Sequence, residues 1–427
     1  LEELAAKIKD YLEILRSRAR IMAIINDELD EVRNAFAVPR RTEIVDWAGD
    51  LDDEALIERE DMVVTVTQTG YVKRTPLADF RAQNRGGKGL SGGSLKDDDV
   101  MTTLFVANTH TPLLIFTTSG MVFKLKTWQL PLGSRASRGR ALTNVIPGME
   151  TGVGIAAIMP VDKPEDEWEN LQIVFATSEG DVRRNALSDF TNVMRNGKIA
   201  MKLPEGVELV NARICSEEDD VMLITDSGRA IRFPTTEVRV FKGRDSTGVR
   251  GIRLTNGDKV VSMSVIRHFD ATSDERASYL KMRRLMAGVT EEGETDEEEG
   301  NADSLLPPER YAEMSAAENL ILTITANGSG KLSSSHDYPV RGRGGMGVAA
   351  MDKAMRGGAL VASFPVEMDD QIMLATSNGQ SIRVPVDGIS FRSRSAGGVR
   401  VFNTAKGEEV VSVAWIAEND EDEAAEE

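Results

Sequence analysis

Leu1, Leu4, Ile8, Tyr11, Leu15, Met22, Ile25, Leu29, Val32 and Phe36 alternate spacings of three and four residues, interrupted only at Arg18. This seven-residue repeat predicts one long helix over 1–36, either a coiled-coil strand or an amphipathic helix lying on its own domain. Pro39 stops it, and residues 37–61 read as a linker. From about residue 62 the pattern changes to short β-type runs separated by turns.

Six segments share one phrase, an apolar strand running into Thr-x-x-Gly and then a second strand. They are "MVVTVTQTGYVKR", "LLIFTTSGMVFKL", "IVFATSEGDVRRN", "VMLITDSGRAIRF", "LILTITANGSGKL" and "IMLATSNGQSIRV". Their turn glycines, Gly70, Gly120, Gly180, Gly228, Gly328 and Gly379, permit the positive φ of a tight hairpin. Centred some 16–18 residues after each is a cluster of glycines and cations: 84–89, 134–140, 194–198, 241–251, 340–347 and 391–400. Each cluster is expected where a second hairpin of the unit turns. A repeat of about fifty residues with roughly four strands implies a mainly β, propeller-like ring of six blades over 62–416, with the cations displayed at the rim.

The periodicity disposes of two nucleotide readings. In "FRAQNRGGKGLSGG" Lys88 is followed by Gly89 where a P-loop needs Ser or Thr. Gly342, Gly344 and Gly347 spell G-x-G-x-x-G, but they occupy the same repeat slot as five clusters that lack it.

Two segments stand outside the ring. Residues 267–319 combine a helical stretch, "SDERASYLKMRRLMAGV", with a run too acidic to pack, and read as an insertion between the fourth and fifth blades. Residues 417–427 read as a disordered acidic tail. These segments change the meaning of the overall charge of −18. Residues 1–61 and 267–319 carry −8 each and the tail −7, so the remaining body is +5.

No run of about 18 apolar residues is present for a membrane span. The single cysteine, Cys215, excludes an internal disulfide and fits a small core residue in a reducing cytoplasm. The chain lacks an initiator Met and opens within the heptad pattern, so it is expected to be part of something longer.

No catalytic or metal constellation emerges. His110, His268 and His336 lie far apart and in no ligand motif, and the three aspartates of "LKDDDV" cannot all face one ion. Tyr71, beside Lys73 and Arg74, reads as a packing residue. What the clusters suit is polyanion binding. Arg and Lys neutralise phosphates and release counterions, and glycines allow backbone N–H groups close to phosphate oxygens. Few aromatics accompany them, which favours duplex DNA over unpaired bases. The competing account is that the basic tips are ordinary solubilising surface.

Nearly the whole chain resembles a known family, the A subunit of bacterial DNA gyrase, which is a type II topoisomerase. "LEILRSRARIMAIINDELDEVRNAF…RRTEI" is similar to the end of its coiled coil. "EDMVVTVTQTGYVKRTPLADF" and "SRASRGRALTNVIP" are similar to its C-terminal domain. Most specific is "QNRGGKG", which resembles the gyrase box except that Asn84 stands where the usual form has Arg.

The resemblance implies a six-bladed β-pinwheel, whose strands connect differently from a propeller's, around which duplex DNA wraps for strand passage. It implies negative supercoiling of closed circles at the expense of ATP, with ATP and Mg²⁺ used by the gyrase B subunit in a bacterial, cytoplasmic, chromosome-associated A2B2 assembly. The A subunit would dimerise through a part that precedes this one. None of the five tyrosines stands in the family's catalytic Arg-Tyr context, so this piece alone is expected neither to cleave DNA nor to hydrolyse ATP, and to hold no cofactor or metal.

The implied DNA-binding residues are the box, Gln83, Asn84, Arg85, Gly86, Gly87, Lys88 and Gly89, with Arg85 and Lys88 foremost. The rim adds Arg138, Arg140, Arg195, Lys198, Lys242, Arg244, Arg250, Arg341, Arg343, Arg392 and Arg394. Charge segregation adds the expectation that the tail competes with DNA for this rim. The alternatives are the equivalent C-terminal domain of topoisomerase IV, whose first-blade box is usually not intact, and a protein-binding propeller.

Overall fold

Threonine explains why each repeat phrase turns where it does. In five repeats the glycine N–H donates to the threonine carbonyl, as Gly120 does to Thr117 at 2.9 Å. The next N–H donates to the threonine hydroxyl, for example Asp181 to Thr177 Oγ1 at 3.1 Å. The glycine adopts a left-handed φ of 77–83° at Gly70, Gly120, Gly180, Gly228 and Gly328. This is a type I turn closed by a left-handed residue, the three-residue hairpin loop expected when Thr and Gly stand three apart. Gly379 lies outside the described residues.

The computed structural model describes residues 1–38, 53–67, 69–79, 101–134, 137–243, 246–286, 306–352, 357–378, 381–405 and 407–416. Two units are separable, residues 1–56 and the chain from Ile57 onward.

In the first unit the single long helix is corrected to two, Glu2–Arg16 and Arg18–Phe36. Ser17 leaves the helical region (φ −119°, ψ 107°), and its hydroxyl accepts from the Arg20 N–H at 3.3 Å. Serine thereby caps a new helix where the apolar period skips Arg18. No residue of either helix is buried.

The second unit holds six antiparallel sheets, five of four strands and one of three among the described residues. In the first, Met101–Asn108, Asp61–Thr67, Tyr71–Pro76 and Arg140–Ala141 follow in that order. The strand after each hairpin forms the inner edge. Ile155–Pro160, Leu209–Cys215, Val260–Arg267, Leu360–Val366 and Val410–Ile416 pack in succession, and the last packs on Met101–Asn108. The first and second sheets meet through an apolar layer that includes Val64, Val66, Leu113 and Ile115, which completes the circuit of six sheets. Apolar layers join neighbouring sheets. Between the second and third, Phe116, Phe175 and Phe190 meet edge to face with centroids 5.4–5.9 Å apart.

The expected insertion appears as two helices, Ser273–Met286 and Pro308–Ala316. Tyr279, Leu280, Leu306 and Met314 form their own small core. That core covers His336, whose ring lies 5.1 Å from Tyr279 and 5.6 Å from Phe269. Residues 39–52 of the linker, 287–305 of the insertion and the tail 417–427 lie outside the described residues.

Candidate nucleic-acid interface

The five clusters among the described residues do not turn a second hairpin, and the first, 84–89, lies outside those residues. After its second strand the chain makes a short 3-10 turn, such as Thr235–Glu237, and then crosses to the preceding sheet. Parallel bridges Arg74–Leu132, Arg184–Val240, Arg232–Val340 and Leu332–Phe391 begin four of these crossings. A two-residue strand ends each, pairing Val72 with Arg140, Val122 with Lys198, Val182 with Val249, Ala230 with Val348 and Gly330 with Val399. Five sheets thus take their outermost strand from the next repeat, and the cluster precedes or includes it.

The cluster glycines serve this crossing. A Cβ on Gly139, Gly248 or Gly347 would stand 2.3–2.4 Å from the carbonyl oxygen of Val72, Val182 or Ala230. All three have positive φ. At these positions the missing side chain is required for close strand approach, which replaces the expectation that it admits phosphate.

The crossing places the described rim residues at equivalent outer edges, but their side chains differ. Arg140, Arg195, Lys242 and Arg341 are exposed. Arg138 is half-buried, its guanidinium 3.8 Å above the Tyr71 ring, so Tyr71 is a platform as well as a packing residue. Lys198 donates to the carbonyls of Asp189 and Asn192 at 2.9 and 3.1 Å. Arg250 pairs with Asp181 at 3.0 Å on exposed surface, an ion pair of small worth.

Arg343 links two neighbouring clusters. Its side chain donates to the Glu237 carbonyl and, at 3.1 Å, to the Arg250 carbonyl. Gly344 N–H donates to Gly251 O at 2.6 Å beside it. Arg392 is half-buried.

Arg394 departs from the expected set. It is 6 % exposed, and its guanidinium donates to Asp337 O at 2.9 Å and Ala349 O at 2.7 Å. The Asp337 carboxylate accepts from its main-chain N–H at 2.6 Å. This arginine faces inward and is removed from the rim. Gln83–Gly89 and Arg244 lie outside the described residues.

Three cations carry the rim from behind, and a search for surface charge passes over them. Lys73 Nζ donates to the carbonyls of Ser134 and Ser137 at 3.2 and 2.8 Å. Arg183 holds Ser246 O at 2.7 Å and also Gly243 O. Lys331 Nζ holds Ser393 O at 2.9 Å, Ala396 O at 2.6 Å and Arg394 O. All three are buried, and burial lowers the pKa of Lys73. They stand third after the turn glycine, where the repeats read Lys, Phe, Arg, Ile, Lys, Ile, an alternation visible in the sequence.

No group of three or more metal-capable side chains occurs among the described residues. Cys215 is buried, and desolvation pushes its thiol up to about 12, which makes it inert. His268 bridges the carboxylates of Asp220 (2.7 Å) and Asp270 (3.1 Å). Burial opposes its charging, but the two acids outweigh that and raise its pKa. His336, under the insertion, has its pKa lowered by burial.

The family model described as "DNA gyrase C-terminal domain, beta-propeller" matches residues 61–108, 111–162, 172–216, 219–267, 319–366 and 370–414. The DNA gyrase A subunit of Granulibacter bethesdensis is 45 % identical over 98 % of this chain and 46 % of its own length. That of Rickettsia bellii is 44 % identical over 99 % and 46 %. The chain thus spans under half the length of these relatives. Among solved structures, the C-terminal domain of DNA topoisomerase IV aligns with TM-score 0.60 and 22 % identity, covering 84 % of this chain and 94 % of that one. The DNA gyrase A C-terminal domain aligns with TM-score 0.58 and 21 % identity, covering 84 % and 100 %. At such identities the two structures speak for the six-bladed fold alone.

Proposed function

The chain belongs to the DNA gyrase A family, as its C-terminal domain, and on that premise we propose that its ring binds duplex DNA around the outer rim and bends it for strand passage. The supporting observation is strand exchange: it carries five cation clusters to equivalent outer edges, where successive phosphates of one curving duplex can meet them. Contacts to phosphate carry no sequence information, so binding is non-sequence-specific. Bending 20–30 bp through 40–90° costs about 1–6 kcal/mol. Six to ten phosphate contacts change affinity by roughly 10³–10⁵ between 50 and 200 mM salt, a term large enough to offset that cost.

Within this proposal the domain serves an enzyme that supercoils DNA negatively, with the gyrase B subunit supplying ATP hydrolysis and Mg²⁺ in a cytoplasmic A2B2 assembly. The box Gln83–Gly89 adds its cations to the rim. Steep salt dependence of duplex binding, together with an altered linking number of circles religated in the presence of this chain, is the expected result. Flat salt dependence and unchanged linking number would overturn the proposal in favour of a protein ligand.

A further inference from the structure

We propose that Lys73, Arg183 and Lys331 are positioning residues for DNA contact: each grips carbonyls of a rim loop from the following repeat, so phosphates are held chiefly at every second blade. The inference rests on the duplex-binding proposal and divides its rim into two kinds of loop.

The loops at 134–140, 243–250 and 393–400 cross the first, third and fifth sheets, and each is latched from beneath by a cation at most 4 % exposed. Lys331, with no exposed surface, takes three carbonyls of one loop. Taking a cation out of water is costly unless its donors are met, so those carbonyls must turn inward for the folded state to persist. The backbone at the gripped carbonyls is then set before DNA arrives.

In the loops crossing the second and fourth sheets the equivalent position is apolar, Phe123 or Ile231, and the polar ties come from partly exposed residues instead. Lys124 Nζ donates to Thr191 O at 2.8 Å and the Arg343 N–H to the Glu237 carboxylate at 2.8 Å. A Cβ on Gly197 would meet the Phe123 ring at 2.5 Å, and one on Gly345 would meet Ile231 Cδ1 at 3.8 Å. Van der Waals contact of this kind does not by itself dictate which way a loop peptide points, and the polar ties of these loops, unlike the buried latches, stand in solvent that competes for them. Ordering a loop upon binding subtracts from affinity, whereas a loop ordered on folding does not incur that loss again. The exposed cations of the latched loops, Arg140 and Arg400, and the half-buried Arg138 and Arg392 beside them therefore present their charge on a prearranged backbone. The buried cation behind them also raises the local potential.

Two measurements test this. Lys331→Met, with fold verified by thermal unfolding, is expected to weaken duplex binding about tenfold at moderate salt. The slope of log K against log salt should fall in magnitude by about one to two. Lys331→Arg should restore both, whereas a purely structural role would leave the slope unmoved.

The second measurement needs no variant. Arginine-selective labelling of the unaltered chain, with and without a duplex, should show stronger protection at Arg138, Arg140, Arg392 and Arg400 than at Arg195 and Arg341. Equal protection at both kinds of loop, with steep salt dependence intact, overturns this inference and leaves duplex binding standing. Absence of salt-sensitive duplex binding overturns both.

Discussion

The rim loops at 191–198 and 391–400 occupy the same place in their repeats, yet their cations have opposite fates. Arg195 stands exposed, with Lys198 beside it holding two carbonyls. In the other loop Arg394 turns inward to Asp337, and Lys331 rises from below to grip the loop's own carbonyls. Counting cations in a cluster therefore overstates the charge offered to a phosphate. Part of it builds the loop, and part faces outward.

The two loops differ most at Arg394. Arg394→Met leaves Asp337 buried without its cation and should cost about 3–5 kcal/mol in denaturant unfolding. Arg195→Ala should stay within about 0.5 kcal/mol of the parent. A loss for Arg394→Met as small as that would show that the two loops do not differ in this respect.

Glycine substitutions come next. Gly347→Ala must accommodate both a left-handed φ of 69° and a Cβ 2.3 Å from Ala230 O, and about 3 kcal/mol or more is expected. Gly206→Ala, at φ 79° with open space around it, should cost about 1 kcal/mol. Thermal melts of the pair separate the packing penalty from the conformational one.

Binding sharpens the contrast from the other side. Arg140→Ala, at an exposed position on a latched loop, should leave the melting temperature unchanged and reduce the salt slope of duplex binding by about 1.

A smaller effect distinguishes the two histidines around the insertion. His268 has a raised folded pKa, so it contributes stability below about pH 6.5 that is lost as pH rises through the folded value. His336 has a lowered one, so its contribution is present above about pH 6.5 and lost as pH falls through the folded value. Unfolding free energies of the His268→Gln and His336→Gln variants between pH 5 and 8 should diverge from the parent in opposite directions. Smallest of all, deleting 417–427 should tighten duplex binding modestly at moderate salt, and unchanged affinity would discard competition by the tail.

Much of the fold was legible because its instructions are local. Thr117 and Gly120 stand three apart, and the hydroxyl and the left-handed φ complete the turn without help from elsewhere. The same holds for the helix Ser273–Met286. The break at Ser17 was half legible: the skipped apolar position at Arg18 marked it, but the heptad on either side argued for continuity.

The destination of the rim strands was not legible. Arg140–Ala141 and Val249–Arg250 are only two residues long, too short for any period to name the sheet they join. Arg394 escapes the sequence pattern for a related reason, since its acid comes from Asp337, 57 residues earlier in the chain. Lys331 in "GSGKLSS" reads as surface by charge, and only the carbonyls gathered above it make burial tolerable.

By itself, then, the amino-acid order determined the repeat, its hairpins and the recurrence of cations at one phase, because turns and strand periods are set by neighbours a few residues away. Which sheet each outer strand joins, and whether a given cation meets solvent or a carbonyl, was decided by tertiary structure. Those outcomes depend on the desolvation of groups far apart in the chain, and burial of a charge is favourable only where distant partners are already in place.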